Sequence, residues 1–421
     1  AFASVRALKR ADTKAQALFD NCFKIFDPPQ APRLTIQELK NELILMLENP
    51  KVSNNYKELY QEEDKINIPS DIGDRTYLFE GYQIYQLAAE DVSASDIGDP
   101  TKARLVAQCD IKNGISKIIN FEFDEGLGFS IPEEKVIGEN KGIKQSFKIT
   151  EDEFAQGERT LVNHKKYYYT AIAYAYNNYA EYDPNDAEKL DGQKTPYVSS
   201  RLGHDGGSIK SVETIPHDPT FEKGGTVVSL EYGTSPEITR LDGRGNGGRA
   251  VDLTQSSVDY IMANGFMTNP TYQKGKGPIN INVVDPLHLA PGYFECKFKD
   301  YENIAADESR NYEGTDTASW VVYQYDSKGG NLLDSVESIQ TIKVANEQLI
   351  PEWGISVQIF QDPYSLGSGP EYTRYTAPIE ATVEYEDSTR QWLNFVMDDA
   401  AFYPTNWIRS GDYEPGPNDP D

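Results

Sequence analysis

The chain has 421 residues, a formal net charge of −27, 38% hydrophobic residues and 25% charged residues. That length suits two or three domains, and that hydrophobic share fills ordinary cores and excludes wholesale disorder. A polyanion of this size repels nucleic-acid phosphates and anionic lipid, and no stretch approaches the ~20 apolar residues of a spanning helix, so neither nucleic acid nor a membrane span is expected.

The first residue is Ala1, and the chain reads as a processed or cut piece of a longer protein. Residues 1–27 read as a lead-in arm or linker, with 15–26 either a short helix or an extended arm. Pro28-Pro29 ends any helix there. Alternating and β-branched runs then predict strands over 34–36, 43–47, 77–87 and 103–111, with a polar insertion over 51–72. Asn113-Gly114 predicts a hairpin turn leading into a strand over 115–121. Further strands are expected over 145–149 and 167–176. In the last of these Tyr168, Thr170, Ile172 and Tyr174 share one face and Tyr169, Ala171, Ala173 and Ala175 the other. The small alanines imply a closely approaching layer. Residues 183–192 read as an acidic turn.

Gly203, Gly206 and Gly207 mark 196–207 as a linker, and the domain boundary is placed there. Beyond it, strands are predicted over 208–214, 226–232, 279–284, 292–299, 319–325, 338–344, 355–361 and 381–386. A helix is predicted over 255–264, with Thr254 as N-cap and Gly265 as its stop. Ser327-Lys328-Gly329-Gly330 reads as a turn, and 410–421 as an acidic linker or tail.

Many strands, few helices and no alternation of the two predict a mainly β chain: tandem antiparallel β-sandwiches. The expected division is a first sandwich over 28–200 with long insertions and a second over 208–409 with one short helix.

The candidates for chemistry are weak. Gly243-x-Gly245-x-x-Gly248 fits a dinucleotide-binding spacing, but no apolar strand precedes it and no helix follows at once, so it reads as a surface loop. His164, His204, His217 and His288 sit beside turn residues, none at metal-ligand spacing from another. Cys22, Cys109 and Cys296 lie far apart with no CxxC. Cys109 and Cys296 fall on apolar faces and read as buried thiols, with a single disulfide and one cysteine left over as the alternative. Asp183, Asn185, Asp186 and Asp191, and Asp242, Asn246 and Asp252, form two acidic loops. Neither has the full twelve-residue calcium loop, and Asp and Asn favour turns without any metal. No catalytic, cofactor-binding or metal-binding residue is therefore assigned. No cofactor is expected, calcium being the one ion worth considering. Tyr174, Tyr176, Tyr179 and Tyr182 are either a binding patch or the core and its cap.

Several segments carry a resemblance. Pro28-Pro29-Gln30-Ala31-Pro32 precedes the first strand, and Leu47 stands three residues before Pro50, where a fibronectin type III module usually carries a core Trp. Gly81-Tyr82-Gln83-Ile84-Tyr85 matches that module's third strand. Leu161 followed by Tyr167-x-Tyr169-x-Ala171-x-Ala173-x-Ala175-x-Asn177 matches its tyrosine-corner strand. The first domain thus resembles a fibronectin type III module with insertions, which implies that Tyr167 or Tyr169 bonds back to upstream backbone. Phe79-Glu80-Gly81-Tyr82-Gln83-Ile84-Tyr85-Gln86-Leu87, residues 164–178 and Asn346-Glu347-Gln348-Leu349-Ile350-Pro351-Glu352-Trp353-Gly354 look like large secreted Bacteroidota proteins exported by type IX secretion. That resemblance implies an extracellular, cell-surface location and a modular chain longer than this piece; it brings no assigned activity, and the chain is expected not to be an enzyme. The expected function is a structural or interaction module, an adhesin stalk or appendage subunit. Its partners would be other copies or other domains of the parent protein, or surface proteins and glycans. The alternative is a carbohydrate-binding accessory module of a secreted enzyme, which would present Trp320, Trp353, Trp392 and Trp407 on an open face.

Overall fold

A computed structural model describes residues 26–235 and 253–359, with breaks at 69–71, 125, 127–128, 187, 191, 223–224, 266, 268–270, 272, 274–278, 300–317 and 343, together with residues 12, 15, 16, 18 and 19. The last five are helical. The strand expected over 381–386 and the tail over 410–421 lie outside these residues. The chain is mainly β and all described strand pairs are antiparallel. It divides into two units after Val227.

The first unit packs two sheets over one core. β1 (Arg33–Leu39), β2 (Glu42–Glu48) and β8 (Ser146–Ile149) form a three-stranded sheet. The turn between β1 and β2 puts Asn41 at φ 58°, a left-handed conformation that Asn tolerates better than most residues. The larger sheet is built on β4 (Thr76–Leu87) and β9 (Tyr167–Tyr176), paired along most of their length. Short β3 (Gln61–Glu63) and longer β5 (Ala103–Asp110) share the free side of β4. β10 (Tyr197–Ser199) and β11 (Val212–Thr214) share the free side of β9.

Between the sheets, Leu43, Leu45 and Leu47 meet Tyr77, Phe79, Tyr82 and Ile84 of β4 and Tyr167, Tyr169, Ala171, Ala173 and Ala175 of β9. Leu47 is buried where the resembled module carries Trp, and tyrosines supply much of the core volume. The inward residues of β4 are Tyr77 and Phe79, then Tyr82 and Ile84. The missing beat comes from a bulge between Phe79 and Gly81, where Glu80 has no opposite residue on β9.

Several sequence expectations are corrected. The strand over 115–121 exists as β6 (Lys117–Asp124), but it pairs with β7 (Phe129–Ile137) rather than with β5. Asn113-Gly114 does turn the chain, with Gly114 at φ 93°, yet it carries it from one sheet to another. β7 itself was not anticipated, and Pro132 followed by Glu133, Glu134 and Lys135 gives it no apolar alternation. The supposed linker over 196–207 contains β10, and the strand over 208–214 is β11. Both complete the first unit's larger sheet, so that unit ends about twenty residues later than expected.

In the second unit, β12 (Asn280–Val283), β17 (Ile355–Gln358) and β16 (Gln348–Ile350) form one sheet. β13 (Tyr293–Lys299), β14 (Ser319–Tyr325) and β15 (Leu332–Glu337) form another. Trp320 and Val322 of β14 share a core with Ile350, Trp353 and Val357. The helix Gln255–Asn264 begins as expected: the Thr254 hydroxyl accepts from the Ser257 N–H, and Gly265 closes it in the left-handed conformation. Residues 226–232, and the described residues of 338–344, are not strands. The sequence β15 contributes, with five of its six side chains exposed, was not anticipated.

Candidate functional site: a sealed carboxyl pair beneath an exposed hairpin

Much of the outer face of the larger sheet is buried as well, with Gln83, Thr170, Ile172 and Tyr174 at 3% exposure or less, which alternation alone does not explain. The β6–β7 hairpin lies over it. Ile118 and Val136 cover Tyr174 and Tyr197, whose rings stack at 5.3 Å. The Asn120 side chain clamps β10 from both sides, donating to the Tyr197 carbonyl at 3.0 Å and accepting from its N–H at 2.9 Å. Gln83 donates to the Lys135 carbonyl at 2.9 Å and accepts from the Tyr197 hydroxyl at 2.8 Å. Gln108 donates to the Ile137 carbonyl. The buried amides of Asn120 and Gln83, with the half-buried Gln108, thus seat the hairpin.

At the hairpin's base lie two carboxyls, Glu80 in the bulge of β4 and Asp110 at the end of β5, 3% and 2% exposed. Both Glu80 oxygens accept from the Asn113 amide, at 3.1 and 2.8 Å. Both Asp110 oxygens accept from the Asn140 N–H, at 2.9 and 3.1 Å. The Asn140 side chain then accepts from the N–H groups of Asn113 and Gly114, at 2.8 and 2.9 Å. The strand leading into the hairpin and the turn leading out are therefore stitched to each other and to the sheet. Gly138 is required here, since a Cβ would stand 2.0 Å from an Asp110 oxygen.

Burial disfavours charge on both groups. Desolvation pushes Glu80 up to about 8, with the Asp110 charge adding to the rise and the Asn113 amide opposing it. Desolvation also raises Asp110, against the N–H bonds from Asn140 and Glu139. Paired carboxylates of this kind suggest acid–base chemistry when they line a cleft. These two are sealed beneath the hairpin and bonded to structural amides, so a substrate does not reach them as the chain stands.

Away from the sheet, the hairpin is open. Phe123 and Phe129 near its tip are 66% and 57% exposed, and Ile137 is exposed at its base. Glu122 and Glu133 bracket Lys135, at 2.8 Å each.

The other candidate residues do not converge. Asp183 and Asp186 accept from the N–H groups of Asn185 and Glu188, so this acidic loop closes on its own turns. Asp191, the second acidic loop, the glycine motif, Cys22, Trp392 and Trp407 lie outside the described residues. Among the described residues, no group of three metal-ligating side chains comes together. His217 bonds the Ile215 carbonyl at 2.9 Å and Glu222 at 2.7 Å, and His288 bonds Asp285 at 2.8 Å. His164 is a turn residue at φ 64°, and the Nδ1 of His204 is buried without a partner. The tyrosines split up: Tyr174 lies under the hairpin, Tyr179 packs on the main core, and Tyr182 meets Phe121 edge-on at 4.7 Å. Trp320 and Trp353 are both buried, so neither offers a platform to a sugar. Sequence reasoning missed Glu80, Asp110, Asn113 and Asn140 as a unit. The signal available was a carboxylate inside each of two apolar strands.

No protein-family model, no curated protein and no solved structure matches this chain.

Proposed function

We propose that this chain is a structural and interaction module of an extracellular, cell-surface protein, and that its first unit is a fibronectin type III-like sandwich. The observation that carries the structural reading is the use of the buried carboxyl pair. Strongly shifted groups gather where chemistry is done. Here the Glu80 and Asp110 side chains hold an inserted hairpin onto a sheet. The type III likeness is supported by a three-stranded sheet of β1, β2 and β8 opposed to one built on β5, β4, β9 and β10. It is supported again by the Tyr167 hydroxyl, which bonds the Val162 N–H five residues upstream at 2.9 Å. Contacts with other domains of the parent protein run through the hairpin's exposed aromatics.

The test is to mix the purified chain with its own kind, with the remaining domains of its parent and with cell-surface material. Binding weakened by Phe123→Ser and Phe129→Ser is the expected result. Absence of contact with all three, or binding indifferent to both substitutions, overturns the reading.

A further inference from the structure

We propose that Glu80 is a proton-dependent latch: protonated, it keeps the β6–β7 hairpin seated on the larger sheet, and its ionisation loosens the hairpin. The inference rests on the hairpin being the contact element and names how that element is regulated.

The geometry makes the latch local. Only two connections, 111–116 and 138–142, join the hairpin to the sandwich, and both are bonded through the carboxyl pair. Asn113, in the incoming connection, holds Glu80. Asn140, in the outgoing one, holds Asp110 and also the backbone of Asn113 and Gly114. Gly142 donates to the Asp110 carbonyl at 3.1 Å, and Ile111 to that of Glu80 at 2.8 Å. A charge appearing on Glu80 therefore acts on the bonds that anchor the hairpin.

Among the described residues, the charge that acts on Glu80 is that of Asp110, and it opposes ionisation. From β9 come Tyr174 and Tyr176, both raised by burial and further by the Glu80 charge. Tyr197 of β10, stacked on Tyr174, is likewise raised by burial. In the outgoing connection Glu139 adds to the rise of Asp110, and its own charge is met by Lys141 at 2.7 Å. The ionised pair would be two buried carboxylates that repel each other.

The direction follows. Free in solution, the Glu80 carboxyl titrates near 4.5, and in the closed state near 8. An opened hairpin releases the proton that the closed one retains. Opening is thus favoured on the order of tenfold per pH unit between those values and levels off above the upper one. The hairpin is held in acid and loosened toward mild alkali.

Hydrogen exchange tests this without any partner. Peptides spanning 111–142 are compared with peptides from β1 and β2 at pH 5 and pH 8, each corrected for intrinsic exchange. Wild type should lose on the order of a few hundredfold protection in 111–142 alone. Glu80→Gln keeps an acceptor for Asn113 and should lose almost none. Equal losses in both proteins, or a loss spread equally over β1 and β2, overturn the latch. A second reading uses wild type only: the 13C shift of the Glu80 carboxyl should titrate near 8, and a midpoint in the ordinary Glu range overturns it. Failure here leaves the interaction reading standing, since that is decided by the Phe123 and Phe129 substitutions.

Discussion

The ring of Tyr174 crosses β4 at Gly81: a Cβ built there would stand 2.5 Å from the Tyr174 hydroxyl and 2.2 Å from the Cys109 carbonyl oxygen. Tyr174 donates from beyond that crossing to the same carbonyl, at 3.4 Å. The glycine is what lets a large side chain of β9 lie flat over β4 and reach β5.

Gly81→Ala should therefore destabilise the first unit by about 1–3 kcal/mol, the usual cost of overpacking. The rigid carbonyl leaves no side chain that can simply rotate away. Urea unfolding followed by tyrosine fluorescence reads the loss.

Tyr167 and Tyr169 point into the same core but hold different bonds. The Tyr167 hydroxyl accepts from Val162, while the Tyr169 hydroxyl is buried with no partner among the described residues. Tyr167→Phe should cost about 1 kcal/mol. Tyr169→Phe should be neutral or stabilising, because it removes an uncompensated polar group. The reverse ranking in denaturant midpoints would place the corner at Tyr169.

Asp152 works opposite in sign to Glu80. Burial alone would raise its pKa, but bonds from Lys165 at 2.7 Å, Gln86 at 2.7 Å and the Phe154 N–H at 3.0 Å outweigh it and hold the carboxyl below its usual value. Its contribution is present above the unfolded value of about 3.9 and is lost as pH falls through the lower folded one. Asp152→Asn should destabilise the unit at neutral pH by roughly 1.5–3 kcal/mol. It should also flatten the acid limb of stability, measured as denaturation midpoint against pH.

Desolvation pushes both Cys109 and Cys296 up to about 12. The thiolate is the reactive form, so both should resist iodoacetamide at pH 8 in the folded chain and react once it is unfolded. Cys109, buried and donating to the Lys144 carbonyl at 3.3 Å, should be the slower of the two, as peptide mapping after timed labelling would show.

Where one face of a strand was apolar, the sequence was readable: β2, β9, β14 and the helix after Thr254 all stand where alternation and capping put them. The missed strands share a physical cause. β7 carries Pro132 and three consecutive charges, β15 is nearly all exposed, and β10 has three residues, too few for any period to register. Val227, Val228 and Leu230 gave a false strand over 226–232, because β-forming side chains say nothing about whether an edge is available to pair with. The carboxyl pair was illegible for another reason. Its parts come from β4, β5 and two connections about sixty residues apart at the extremes, and only the folded sheet brings them together.

The unmatched residue in β4 limits where this chain can change length. Removing Glu80 would not shorten a loop. It would restore plain alternation, with Tyr82 and Ile84 still inward and Gln83 outward, but it would remove the carboxyl that holds Asn113 at the hairpin's base. Insertions and deletions should be tolerated at the hairpin tip between Asp124 and Phe129. They should be forbidden at position 80, and also in the stretch over 51–72, where Tyr60 and Ile68 enter the core and β3 pairs with β4, so lineages descended from this chain should differ in length at the tip and agree at the other two places.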